Sequence, residues 1–305
     1  MTGTSDEGRR RPEAPRTRAG PVRRSGGARL RHEDDGSGAG DLIGEVVLDR
    51  PDAMNALNTA MLADLAEHFT ALAADPSVRV VIVSAAGERA FCVGADLKER
   101  AAMSDAQIVS QRPAFRAAFA ALLALPQPAI AAVHGFALGG GCELALSCDV
   151  IVADATAVLG LPEATVGLVP GCGGTQLLAR RVGPGRAAEL ILSGRHVAAA
   201  EAAGIGLADR LVPAGLARET AFELGRQIAA NSPVAVRAAK RALRNGADLP
   251  LTAALDVEDA AWRTAASSAD RREGIAAFAE KRRPAWPSGR SAGGPPGDGG
   301  STAGV

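Results

Sequence analysis

A chain of 305 residues that is 47% hydrophobic, with 34 basic against 34 acidic side chains, can bury a core of its own and carries no net charge. Only 3% of its residues are aromatic and none is tyrosine, so stacking surfaces for bases are scarce, and the neutral balance further argues against a nucleic-acid binder. No run reaches the ~18 uninterrupted apolar residues of a membrane span. The four cysteines, Cys92, Cys142, Cys148 and Cys172, form no CxxC pair and follow no secretory signal, so they read as buried thiols of a reducing compartment, the cytoplasm, with no zinc site implied.

Residues 1–27 set arginines among Pro12, Pro15 and Pro21 without apolar periodicity, the composition of a disordered basic arm. Its prolines spoil the amphipathic helix of a transit peptide. Residues 288–305, mostly Gly, Ser, Ala and Pro, read as a second disordered tail. Between them, residues 28–32 and 42–48 read as paired strands around the turn-rich Asp34-Asp35-Gly36-Ser37-Gly38. Asn58 caps a helix in which Leu62, Leu65, Phe69 and Leu72 recur at helical spacing. Residues 78–83 form an apolar strand, and residues 90–98 pass from strand to helix. The helical stretch 104–125 contains Pro113, which predicts a break or kink there. Residues 128–133 and 150–153 are further buried strands. Strand and helix in alternation, with apolar strands, is the pattern of an α/β fold with a parallel sheet whose site is built by loops after strand ends. From about residue 171 the spacing predicts helices and no strand: 186–192, 198–203, 216–230, 233–244, 251–267 and 269–281. The organisation is therefore a core over 28–215 and a helical region over 216–287.

Two carboxylates stand out. The apolar strand ending at Val133 runs through Gly139-Gly140-Gly141 into a helix-forming run, which puts Glu143 in the first helical turn. Glycines at such a junction let another molecule approach the backbone, and the helix start offers free N–H groups and a positive dipole end. Glu143 there either complements the dipole or works as an acid or base beside an anion-stabilising backbone. Glu163, in Leu161-Pro162-Glu163-Ala164 before Pro170-Gly171-Cys172-Gly173-Gly174, is either an exposed loop residue or functional. Together they fit a carbonyl substrate whose oxygen takes two N–H donors and whose carbons exchange protons. Competing chemistries find no support: no GxSxG accompanies His32, His68, His134 and His196, and the glycines of 171–174 lack the Lys-Ser/Thr of a P-loop.

Phe91-Cys92-Val93-Gly94-Ala95-Asp96-Leu97-Lys98, the segment 139–145, Pro162-Glu163, Pro170-Gly171-Cys172-Gly173-Gly174-Thr175-Gln176 and Asp270-Arg271-Arg272-Glu273-Gly274 together resemble the crotonase (enoyl-CoA hydratase/isomerase) superfamily. The likeness runs from about residue 28 to 285. It implies an α/β fold, the crotonase (ClpP-like) spiral of ββα units, with a C-terminal helical trimerisation region and a homo-oligomer that is a trimer or a dimer of trimers. It implies an oxyanion hole of the Ala95 and Gly140 N–H groups and catalytic roles for Glu143 and Glu163, with His134 departing from an asparagine frequent at that family position. The expected substrate is an acyl-CoA thioester that brings its own coenzyme A, so no separate cofactor and no metal is expected. Coenzyme A is expected along 52–57 and 95–98, touching Ala53, Ala95, Asp96, Leu97, Lys98, Gly140 and Gly171, while Phe278 and Lys281 reach the coenzyme A of a neighbouring subunit. Lys98 equally reads as a solvated lysine. Leu161 and the helix over 104–125 are expected to shape the acyl pocket.

Within the superfamily, Cys92-Val93-Gly94-Ala95-Asp96-Leu97-Lys98-Glu99-Arg100 with Met103-Ser104, and Glu280-Lys281-Arg282-Arg283-Pro284, most resemble methylglutaconyl-CoA hydratases, among them one that binds AU-rich RNA. The lysine row associated with RNA binding is missing: no lysine occurs between Asn58 and Asp75. The expected activity is hydration of a short-chain or branched 2-enoyl-CoA, with an isomerase of the same fold or an RNA-binding homologue as alternatives.

Overall fold

The computed structural model describes residues 27–34 and 41–289. The arm expected over 1–27 therefore lies outside the described residues except for Gly27, as do turn residues 35–40 and all of the expected tail beyond Gly289. Strands β1 (Ala28–Asp34) and β2 (Asp41–Leu48) pair antiparallel, with Ala28 opposite Leu48. Helix α1 (Thr59–Ala74) starts where the Asn58 side chain accepts the Met61 N–H, satisfying one of the donors a helix start leaves free. Its Met61, Leu62, Leu65, Phe69 and Leu72 are buried at helical spacing.

Three strand pairs build the body: β3 (Val80–Ala85) with β4 (Ala90–Cys92), β5 (Ala129–Val133) with β6 (Phe136–Leu138), and β7 (Val150–Asp154) with β8 (Val158–Gly160). Two short strands follow, β9 (Val197–Ala198) and β10 (Arg210–Val212). The first member of each pair enters a six-stranded sheet ordered β1-β2-β3-β5-β7-β10, and the second enters a four-stranded sheet ordered β4-β6-β8-β9. Pairing is parallel from β2 to β10 in the large sheet and from β4 to β8 in the small one. Each strand pair thus stacks in register on the one before, with a helical segment after it: α2 (Leu97–Ala101) and α3 (Asp105–Leu123), then α4 (Gly140–Ser147), then the 3-10 turn Pro162–Val166 and α5 (Gly174–Val182). This is a spiral of ββα units.

The inner strands β3, β5 and β7 of the large sheet are covered on both faces, which is why they are almost wholly apolar. Val81 and Val83 face the core shared with α1 and α3, while Val80, Ile82, Ile130 and Val152 face Phe222 of α8 (Ala217–Ala229). Between α5 and α8 run α6 (Pro184–Ser193) and α7 (Ala199–Gly204), and the chain ends in α9 (Pro233–Gly246), α10 (Leu251–Ala266) and α11 (Ala269–Ala279).

Two expectations need correction. The reading of no strand beyond residue 171 fails at β9 and β10, which have two and three residues, too few to show a period of two, and which pair at the sheet edges with β8 and β7. Nor does Pro113 interrupt its helix. The residue lies on the exposed face of α3, while Phe115, Ala118, Phe119 and Leu122 bury the other face, and a capping box of Ser104 and Gln107 starts the helix. That packing offsets the one backbone bond the proline removes.

Helix α9 is tied to the body by charge. Lys240, 8% exposed, sits 2.8 Å from Asp149 Oδ2 and donates to the Gln127 carbonyl at 2.6 Å. Arg244 donates to Asp149 Oδ1 at 2.9 Å and to the carbonyls of Leu123 and Ser147, each at 3.0 Å. Removing one partner of a buried pair leaves an uncompensated charge. Asp149→Ala is expected to lower stability by about 3–5 kcal/mol, read as a shift of the urea midpoint.

Candidate active site

The site forms where α4 begins, because there is no room for side chains between it and the neighbouring turn of the spiral. A Cβ on Gly141 would stand 2.0 Å from the Cys92 carbonyl oxygen, so only glycine lets the first turn of α4 lie against β4. Gly94, at φ 86°, is the matching position on the other loop: a Cβ there would come within 3.0 Å of the Gly140 nitrogen. Gly140 is the first residue of α4, so its N–H has no carbonyl partner within the helix. Leu57 pairs with the facing strand through its own N–H to the Gly94 carbonyl (2.7 Å) and its carbonyl to the Asp96 N–H (3.0 Å), which turns the intervening Ala95 N–H away from Leu57. A Cβ on Gly140 would lie 3.9 Å from the Ala95 nitrogen. Two amide donors held this close can share one oxyanion.

Glu143 sits in the first turn of α4, 2% exposed, and its Oε1 accepts the N–H of Cys172 at 2.5 Å and of Gly174 at 2.8 Å. Burial pushes its pKa above the ordinary carboxylate value, while the Gly174 and Cys172 amides and the Arg112 guanidinium pull the other way. Glu163, in the 3-10 turn after β8, is half-buried and directed at the same helix start: a Cβ on Gly139 would stand 3.2 Å from Glu163 Oε1. Its Oε2 is buried without a hydrogen-bond partner. Burial raises Glu163 to about 7, opposed by its own backbone N–H and reinforced by the charge of Glu143. Two carboxyl groups thus share one space, one held by two loop amides and the other with a buried oxygen that meets no donor, an arrangement that separates a base from an acid.

Several residues that hold this geometry carry no local sequence signal. Arg50 donates to Asp96 Oδ2 at 2.9 Å and to the Ala56 carbonyl at 2.5 Å, clamping the loop before α1 onto the loop after β4. Asn55, fully buried at φ 55°, donates to the carbonyls of Ala86 and Ala90 at 2.9 Å each. Arg112 of α3 donates to the Gly171 carbonyl and lies 3.7 Å from Cys172 Sγ, fixing the loop whose amides hold Glu143.

The structure brings Ala95, Gly140, Glu143 and Glu163 together, with Gly171 in the loop behind Glu143. Ala53 is half-buried in the 3-10 turn Pro51–Ala53, and Leu97 and Lys98 are exposed at the start of α2. The Asp96 side chain is already engaged: it caps α2 through the N–H groups of Lys98 and Glu99 and pairs with Arg50. Burial would raise its pKa, yet Arg50 and these amides hold it below the ordinary value. Phe278, 87% exposed, and Lys281 are at the far end of α11, which packs on α10 and the turn Pro287–Gly289, and Phe278 lines a cavity with Trp262 and Trp286. One chain does not bring them to Glu143. Among the described residues no cluster of three His, Cys, Asp or Glu could hold a metal, and no helix is long and apolar enough to cross a membrane.

Fold and site together define a class, the crotonase-fold enzymes built on a ββα spiral. The chain belongs to the enoyl-CoA hydratase/isomerase family, whose model matches residues 39–289. It is 45% identical over 238 residues to YngF of Bacillus subtilis, an enoyl-CoA hydratase/isomerase by designation, covering 78% of this chain and 92% of that one. It is 44% identical over 240 residues to the 2,3-dehydroadipyl-CoA hydratase of Escherichia coli K12, with the same two coverages of 78% and 92%. The crystal structure of an enoyl-CoA hydratase from Bacillus anthracis superposes with a TM-score of 0.79 at 44% identity, covering 81% of this chain and 96% of that one. The protein is an enzyme of the enoyl-CoA hydratase type.

The raised pKa of Glu163 also sets a sign for stability. Because its folded value of about 7 exceeds the ordinary 4.5, the folded state binds the proton more tightly, and stability present below 4.5 is lost as pH rises through 7. Glu163→Gln is expected to show a smaller fall in Tm than wild type between about pH 5 and pH 8, measured by parallel thermal melts.

Proposed function

We propose that the protein adds water across the 2,3 double bond of a short-chain or branched 2-enoyl-CoA, 3-methylglutaconyl-CoA among the candidates. The observation that carries this reading is the pair of unlike carboxyl environments at the start of α4, with amides on Glu143 and none on Glu163 Oε2. The thioester oxygen lies between the N–H groups of Ala95 and Gly140, which stabilise the enolate formed when C3 is attacked. One such donor is worth about 2.7–4 kcal/mol in the transition state. Glu143, whose Oε1 is held by two amides that favour the anion against the effect of burial, accepts a proton from the attacking water as its oxygen bonds to C3. Glu163, protonated for much of the time near neutral pH, delivers a proton to C2. The sum is one water added, and the two carboxyl groups then exchange their protons.

Coenzyme A runs along residues 52–57 and 95–98, past Ala53, Leu97 and Lys98, with Asp96 contributing through its backbone because its carboxylate is taken. The chain forms a homo-oligomer, a trimer or a dimer of trimers, in which Phe278 and Lys281 reach a neighbour's coenzyme A. The exposure of Leu243, Leu251 and Trp262 on α9 and α10 supports such burial between subunits. The four free cysteines support a reducing compartment such as the cytoplasm.

Glu143→Gln and Glu163→Gln keep the shape of the site but remove proton exchange, so each is expected to lower kcat by about 10²–10⁴ with KM little changed. The double variant is expected to lose far less than the product of the two effects, because both groups serve one step. As pH rises through about 7, Glu163 loses its proton and kcat/KM is expected to fall, a limb that disappears in Glu163→Gln. A folded, CoA-binding Glu163→Gln enzyme that hydrates at near wild-type rate would contradict the assignment.

A further inference from the structure

We propose that Arg100 and Arg112 form a subsite for a second carboxylate at the far end of the acyl group, which makes the preferred substrates 2-enoyl-CoA thioesters of dicarboxylic acids. The proposal rests on the hydratase reading above and names its substrate class. Arg112, on α3, turns its guanidinium toward residues 171–172, donating to the Gly171 carbonyl with the other terminal nitrogen 3.7 Å from Cys172 Sγ. The Cys172 N–H in turn lies 2.5 Å from Glu143 Oε1, so this cation stands directly behind the carboxyl that meets C3. Gly171 leaves it space, since a Cβ there would stand 2.8 Å from Arg112 Nη1.

Arg100 comes to the same place from the end of α2. Its guanidinium carbon is 5.0 Å from the centre of the Phe115 ring, and its Nε donates to Gln111 Oε1 at 3.3 Å. Gln111 is itself locked by bonds to Thr59 Oγ1 (2.8 Å) and Glu99 Oε2 (2.9 Å). The field of both arginines falls on Cys172, where each opposes the effect of burial on the thiol.

Several cations of the body meet a carboxylate, Arg50 that of Asp96, Arg181 that of Asp209, and Lys240 and Arg244 that of Asp149. Among the described residues neither Arg100 nor Arg112 forms a salt bridge, and the charge of Arg112 acts on the buried Glu143. A guanidinium has five N–H donors, and Arg112 spends few of them on the 171–172 loop. An acyl chain with its C3 at Glu143 and a short spacer beyond would end between these two planar forks, whose geometry matches a carboxylate. A purely hydrocarbon tail gives two such cations nothing to bind.

The test compares substrates that differ only by the terminal carboxylate, glutaconyl-CoA against crotonyl-CoA, in wild type, Arg100→Met and Arg112→Gln. Wild type is expected to favour glutaconyl-CoA in kcat/KM by about 10–100-fold, the size of a charge-assisted hydrogen bond, and each variant to move that ratio toward unity. Because Arg112 also holds the 171–172 loop, its variant is expected to slow both substrates as well, so the readout is the ratio: a glutaconyl-to-crotonyl preference unchanged in both variants overturns the proposal. So does a wild-type enzyme that hydrates crotonyl-CoA as well as glutaconyl-CoA, an outcome that leaves the hydratase reading standing. Conversion of neither thioester overturns the hydratase reading and this subsite with it. Arg100→Met removes one cation without touching the loop, which keeps the comparison decisive if Arg112→Gln does not fold.

Discussion

The contact between the start of α4 and the end of β4 is the constraint on which the rest depends. Two turns of the spiral meet there backbone to backbone, at a spacing that admits no Cβ on Gly141 and none on Gly94 without displacing the Gly140 nitrogen. Parallel register sets that meeting: β4 pairs with β6, and β6 with β8, so the loops after all three strands emerge at one end of the small sheet. The loop after β4 brings Ala95, the start of α4 brings Gly140 and Glu143, and the turn after β8 brings Glu163. Shifting one strand by a residue would turn every side chain along it to the other face. The paired sheets therefore act as a jig for two amides and two carboxyl groups.

Electrostatics then gives those carboxyl groups different surroundings. Desolvation is the largest influence on both and favours the neutral acid in each. What separates them is hydrogen bonding, because amide donors stabilise only the anion. Glu143 has two such donors and a guanidinium behind them, while Glu163 has a buried oxygen with no partner and Glu143 as an electrostatic neighbour. The unlike pair is thus a consequence of the 171–174 loop, whose Gly171 carbonyl accepts from Arg112. Glu163 also costs stability: a half-buried carboxyl group with one oxygen unpartnered weakens the fold as pH rises through about 7.

Much of this was visible in the amino-acid order, and the reasons for the rest are physical. The strands β3, β5 and β7 are apolar runs covered on both faces, and α1 announces itself by Asn58 and by its buried face, so they read directly. Strands β6 and β8 have three residues each, and β9 has two, below the length at which an alternation can be recognised. They exist because a neighbouring strand supplies hydrogen bonds, which is a tertiary fact. Glu143 after three glycines and Glu163 after a proline in apolar surroundings each stayed open between a structural and a functional reading, the family resemblance singled them out, and the fold brings the two together at the start of α4. Arg50 and Arg112 were not legible, since their partners lie 46 residues away for Asp96 and 59 for Gly171. Phe278 and Lys281 show the opposite limit: only the family resemblance marked them, and a single chain leaves them exposed at the end of α11.

The central claim is that the enolate held by Ala95 and Gly140 is formed by adding water at C3 and is discharged by protonation at C2. Turnover of crotonyl-CoA in deuterium oxide, with the product analysed by mass spectrometry and proton NMR, tests it most directly. The account predicts 3-hydroxybutyryl-CoA carrying a single carbon-bound deuterium, at C2. A 3-enoyl thioester with no hydroxyl group, or recovery of unchanged crotonyl-CoA, would contradict it.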